Sequence, residues 1–338
     1  MTKVKILTKN KRFAASPAFL AEAGYSFTQD SAAADYDWLV VFDEPPLKDE
    51  GTYRGGAEPL ACPREHTILA TWEPVSIKNY CTSYTRQFGH LLTNRPREAE
   101  NHPHYHRGLG YFPWYNGRTY DENKSFVIPP KTEILSAVCS AKAMKWSNHH
   151  ARIELLRRMV AEIPGAVWYG HGVHEFRNKF DAMDAYRYHL VLENHTGPRY
   201  WTEKIMDAYL CECLPFYAGA PDLYEDFPRE SYISVPIDDP ERAIAIMKEA
   251  IAADEWSKRI GAIREAKALM FTKYNFWSQV IALIESERGA AVMAATGPEF
   301  IYSRKYIRAH SLAANLEDGW FHTRQYLSGL GLWPKFRS

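Results

Sequence analysis

Short apolar runs separated by polar, helix-compatible stretches set the rhythm of the first third of the chain: Val4 to Leu7, a helix-like piece from Pro17 to Ala23, Trp38 to Phe42, Ile68 to Thr71 and Leu91 to Thr93. This alternation predicts an α/β layer with a mainly parallel sheet. Tyr111 to Lys131 breaks the pattern with Pro, Gly, Asn and charge, ends near Pro129-Pro130, and is the expected interdomain linker. Beyond it the rhythm resumes. A strand from Ile134 to Cys139 is followed by a helix from Asn148 to Ile163 and a strand from Ala166 to Tyr169 that closes in Gly170-His171-Gly172. Further strands are expected at Tyr188 to Leu192, Leu214 to Tyr217 and Tyr232 to Val235, with a helix starting near Thr202 and others over Pro240 to Ala253 and Ser257 to Glu287. The pattern divides the chain into an N-terminal domain (1–125), a second domain (126–295) and a tail (296–338) expected to pack back on the first. Two such layers predict a cleft, where ligands bind beyond the carboxyl ends of strands.

Composition narrows the function. The 338 residues are 46% hydrophobic and carry 41 basic against 41 acidic side chains, which fits a folded chain and gives no broad nucleic-acid footprint. A neutral chain points to a small-molecule or glycan partner. No run approaches the roughly 18 apolar residues a membrane span needs, and the first residues lack a signal-peptide core, so a cytoplasmic protein is expected. The odd, scattered set Cys62, Cys81, Cys139, Cys211 and Cys213 fits reduced thiols; the Cys211-x-Cys213 pair has no nearby partners for a zinc set and reads as packing. The tail places Arg304, Lys305, Arg308, Arg324, Lys335 and Arg337 among Tyr302, Tyr306, Trp320, Phe321, Tyr326, Trp333 and Phe336, a composition that can also make peripheral contact with an anionic membrane surface.

The stretch Tyr186 to Gly219 carries the chemistry. An apolar strand ends at Glu193-Asn194, a glycine-containing loop follows, and Thr202-Glu203-Lys204 opens an amphipathic helix with Thr202 as its N-cap. A helix start offers unpaired N–H groups and the positive dipole end, so Lys204 beside it makes a seat for a diphosphate, and Glu203 can accept from a ribose or sugar hydroxyl pair. The same three residues also make an ordinary cap. His102, His104 and His106 alternate and could present metal ligands on one strand face, but without supporting carboxylates the reading is acceptor contact or solvent exposure.

Tyr186, Arg187, Tyr188, Leu190, Glu193, Asn194, Tyr200, Thr202, Glu203, Lys204, Ile205, Ala208, Tyr209, Pro215 and Gly219 fall in register with the signature of the family 10 glycosyltransferases, the α-1,3/4-fucosyltransferases. The chain resembles that family from about residue 66 to about residue 285. His195, Trp201 and Phe216 depart from its pattern. Ser140, Ser147 and Arg152 resemble the strand and helix whose Arg contacts the donor diphosphate, although alone Arg152 would read as a solvated helix residue. Val167 to Gly170 resembles a family strand ending in Tyr-Gly, and Thr71 to Ser76 a segment whose carboxylate acts as base, which would make Glu73 the catalytic residue instead of a surface carboxylate.

The resemblance implies a GT-B architecture, two Rossmann-like domains with the acceptor side first and the GDP side second, and inversion at the anomeric carbon. Inversion needs one carboxylate base, Glu73, opposite the leaving diphosphate. With no D-x-D motif suitably placed, Arg152 and Lys204 are expected to neutralise GDP without a metal or other cofactor, beside Glu193, Asn194, Tyr200, Thr202 and Glu203 as donor-binding residues. The implied partners are GDP-fucose, or a related nucleotide sugar, and a glycan acceptor. Family resemblance without a membrane anchor suggests a bacterial or viral enzyme acting on lipopolysaccharide or capsule precursors at the cytoplasmic face of the inner membrane. Two readings compete: the same architecture using another nucleotide sugar, and a glycan-binding protein that lost the chemistry.

Overall fold

The computed structural model describes residues 1–10, 16–46, 56–108, 116–140, 149–290 and 299–329. The chain divides into two compact units, Met1–Leu109 with Gln279–Ser338, and Gly110–Ser278.

The first unit opens with β1 (Thr2–Thr8), a single helical turn α1 (Phe19–Glu22), β2 (Tyr25–Thr28), β3 (Trp38–Phe42) and the short β4 (Ala57–Pro59). It continues through β5 (Thr67–Thr71), α2 (Thr82–Thr85), β6 (His90–Thr93) and β7 (Tyr105–Arg107). Six of these strands form one parallel sheet in the order β2-β1-β3-β5-β6-β7. Every residue of β3, β5 and β6 is buried, because a parallel sheet is covered on both faces and its strands then read as continuous apolar runs. Lys5, buried in β1, is compensated by Glu58 of β4 at 2.7 Å and by the carbonyls of Ser31 and Ala33.

The second unit holds α3 (Tyr120–Ser125), β8 (Glu133–Val138), α4 (His149–Glu162), β9 (Ala166–Tyr169), β10 (Tyr186–Leu192), α5 (Glu203–Leu210), β11 (Leu214–Ala218) and β12 (Ile233–Ser234). Its five strands are all parallel, in the order β12-β11-β10-β8-β9. The division at 109/110 precedes the Pro129-Pro130 pair because α3, closed by a Thr119–Glu122 capping box, folds with this unit. Cys211 and Cys213 are buried free thiols; Lys131 Nζ reaches the Cys211 carbonyl and Cys213 Sγ, at 3.7 Å from the latter.

Two helices follow, α6 (Pro240–Ala252) and α7 (Glu255–Thr272), then α8 (Phe276–Ser286), where one continuous helix was expected from Ser257 to Glu287. Asn275 makes the break. Its amide donates to the carbonyls of Met270 and Phe271 while its Oδ1 accepts from Ser278 N at 2.8 Å, closing one helix and starting the next. After α8 come β13 (Phe300–Tyr302), antiparallel to β4, then α9 (Arg304–His310) and α10 (Leu312–Gly329), all in the first unit. Ile301 and Ala314 are buried in the same core as Leu39, Val41, Leu69, Tyr84 and Leu91. The Glu317 carboxylate accepts from Thr82 N at 3.0 Å, satisfying the start of α2. Among the described residues no helix is long and apolar enough to cross a membrane.

Candidate functional site

Where β10 ends, Glu193 and Asn194 turn out of the sheet. Glu193 is 1% exposed, and its carboxylate accepts from Thr202 N at 2.9 Å, Thr202 Oγ1 at 2.7 Å and Lys204 Nζ at 3.3 Å. These bonds turn the Glu193 carboxylate toward Thr202 and Lys204 of its own chain. Thr202 caps α5 as expected, its hydroxyl accepting from Lys204 N, and it is itself 3% exposed. Gly219 is required beside them, since a Cβ there would lie 2.7 Å from Glu193 Cγ and 2.2 Å from the Tyr217 hydroxyl.

Lys204 Nζ also donates to Thr202 Oγ1 at 3.0 Å and Glu203 Oε1 at 3.3 Å. Burial would push its pKa down, but the charges of Glu193 and Glu203 outweigh that and raise it, so the ammonium stays charged. For Glu203 burial pushes upward, and Lys204 and then Lys179 reverse the direction to below the usual carboxylate range.

Arg152, on α4, is buried at 8% exposure and not solvated. One guanidinium nitrogen donates to Asn194 Oδ1 at 2.7 Å and another to Cys139 Sγ at 3.1 Å, while Nε is buried with no hydrogen-bond partner among the described residues. Arg152 acts on the Lys204 ammonium as a like charge, so two cations gather at the β10–α5 junction. Gly170, at φ 154°, lets β9 turn away against β8, where a Cβ would meet the Cys139 carbonyl at 2.0 Å. Ser147 lies outside the described residues.

The three departures from the signature face inward. Trp201 Nε1 donates to buried Asp226 at 2.9 Å and its ring packs edge-on to Phe227 and Tyr274. Phe216 stacks on Tyr188 at 5.3 Å, and His195 sets its ring against the edge of Tyr200, 7% exposed, at 5.2 Å. They are packing changes around the site.

In the first unit Glu73 is half-buried two residues past β5, at the carboxyl end of the sheet. Asp43 and Glu44 stand at the equivalent end of β3 and were not singled out by sequence, although carboxylates directly after a buried parallel strand are the signal that could have found them. Lys78 Nζ binds Asp43 at 2.8 Å, and Glu44 is bonded to Lys9, Lys78 and Arg304 at 2.6, 2.9 and 2.8 Å. Of the three histidines only His106 lies in a strand. His102 is not exposed: it is buried, its Nε2 donating to the Phe88 carbonyl at 3.0 Å and its Nδ1 accepting from His104 N.

Two parallel α/β units with this site at a strand–helix junction have the fold of the GT-B glycosyltransferases. A solved α1,3-fucosyltransferase with GDP-fucose superposes with a TM-score of 0.51 over 88% of this chain and 93% of that one, at 16% identity. An α-glucosyltransferase in complex with UDP and a 13-mer DNA gives 0.50 over 85% and 98%, at 9% identity. Residues 128–253 match the profile of the glycosyltransferase family 10 (fucosyltransferase) C-terminal domain. Sixty-two residues are 37% identical to an α-(1,3)-fucosyltransferase of Helicobacter pylori, a match that covers 18% of this chain and only 13% of that protein.

Proposed function

We propose that the chain is an inverting glycosyltransferase that moves L-fucose from GDP-fucose to a hydroxyl of a glycan acceptor, with no metal ion at the diphosphate. The observation that carries this is the pair Arg152 and Lys204, both tied to the Glu193-Asn194 end of β10. The acceptor oxygen attacks the anomeric carbon, the bond from that carbon to the diphosphate oxygen breaks, and the acceptor proton passes to Glu73. Charge grows on the departing GDP, where preorganised cations and the α5 start are worth most. Glu203, partly accessible at the same junction, accepts from donor hydroxyls, and Thr202 with Glu193 holds Lys204 in place.

The inward packing of Trp201 and His195 leaves no specific support for a different donor sugar. A panel of GDP- and UDP-sugars in a transfer assay tests the reading: fucose should move from GDP-fucose, and equal transfer from a UDP-sugar would sink it. The proposal extends to a cytoplasmic enzyme working on lipopolysaccharide-type precursors at the inner membrane. Five free thiols fit a reducing compartment. Leu312, Leu316 and Trp320, spaced by four along α10 and 77%, 66% and 53% exposed, give the tail an apolar stripe suited to a membrane surface.

A further inference from the structure

His90, His106 and Glu287 lie together in the first unit, one ligand atom of each within 4.8 Å of the others. The two histidines sit on neighbouring parallel strands, with Leu92 opposite His106, so period-two alternation puts His90 and His106 on one sheet face. Glu287 comes from nearly two hundred residues further on, directly after α8. His90 Nδ1 stands 3.1 Å from His106 Nε2. Two nitrogens bound to one tetrahedral zinc at its usual bond length would be about 3.3 Å apart.

We propose that these three side chains, all of the first unit, hold a zinc ion. A hydrogen bond between His90 and the Glu65 backbone holds the ring, and with the proton on that side Nδ1 would face His106 as a lone-pair nitrogen. Metal-bound histidines are held in this way by their second nitrogen. The carboxylate of Glu287 supplies the negative charge that two neutral imidazoles lack, and a nitrogen–oxygen set of this kind suits zinc better than magnesium or calcium. A cavity of about 290 Å³, lined in part by His90, His104 and Glu287, borders the cluster and has room for a water as the fourth ligand. The ion would fasten the chain leaving α8 to the β6–β7 edge, joining segments that the backbone brings together only at long range.

The test uses tag-free full-length protein, stripped with chelator and titrated with Zn²⁺ alone, with Co²⁺ as a spectroscopic probe. One equivalent should bind, raise the melting temperature, and give the visible absorption of tetrahedral Co²⁺. His106→Ala and Glu287→Gln, both at partly accessible positions, should keep the parent's far-ultraviolet circular dichroism yet weaken Zn²⁺ binding by more than about tenfold, the loss that even an outer partner of a ligand can cause. Absence of stoichiometric binding by the parent overturns the proposal, as does parent-like affinity in either variant, which would put the ion elsewhere.

Discussion

Lys204 and Arg152 are two cations that the fold has partly withdrawn from water. Lys204 is held by Glu193, Thr202 and Glu203, and Arg152 by Asn194 and Cys139. Removing either should weaken GDP-fucose binding and slow transfer by about 2–5 kcal/mol, as truncating one side of a desolvated charge pair does. A folded Lys204→Ala or Arg152→Ala enzyme with the parent's affinity and rate would remove that residue from the donor site. Glu73 is different in kind, because a base acts on the acceptor. Glu73→Gln should leave GDP affinity intact and lower turnover by on the order of 10²–10⁴-fold; near-normal turnover would send the search to Asp43. The sequence signature marked Glu193 without revealing its task. A strand-end carboxylate reads the same whether it meets a sugar or caps a neighbour's N–H, and only the bond to Thr202 N separates the two.

Elements are tied to one another by charges that the sequence scatters. Glu44, at the end of β3, binds Lys9 after β1, Lys78, and Arg304 of α9. Burial pushes its pKa up, but Lys78, Lys9 and Arg304 outweigh that and bring it down from 4.5 to about 2. Its folded value lies below the unfolded one, so this stability is fully present above pH 4.5 and is lost as the pH falls toward 2. Glu44→Gln should therefore cost about 3 kcal/mol near neutral pH and little at the acid end. Denaturant unfolding at both pH values checks it, and an equal cost at both would contradict the assignment. On α10, Trp320→Glu with Leu316→Glu should abolish co-sedimentation with anionic vesicles; unchanged binding would take the membrane contact away from this helix. Strand bounds were legible where apolar runs are dense, as at Trp38–Phe42 and Ala166–Tyr169, which the structure reproduces residue for residue. The three-residue strands β4, β7 and β13 were not, since their pairing depends on partners far along the chain. The Lys273–Asn275 break was hidden because one side chain's hydrogen bonds, and no Gly or Pro, make it.

At the scale of the whole molecule, the α/β character and the parallel sheets were written in the rhythm of apolar runs, whereas the place of division was not. The chain returns to the first unit at Gln279, inside α8, and no composition change marks that point. The tail's Lys335, Arg337, Trp333 and Phe336 lie outside the described residues. On the proposed function, the second unit binds a GDP-sugar through protein cations without help from a divalent ion. Isothermal titration of GDP-fucose into the full-length enzyme in excess chelator tests it most directly. One binding equivalent is expected in the parent, unchanged on adding Mg²⁺ or Mn²⁺, and a strongly weakened signal in Lys204→Ala. Binding that vanishes in chelator and returns with a divalent ion would contradict it.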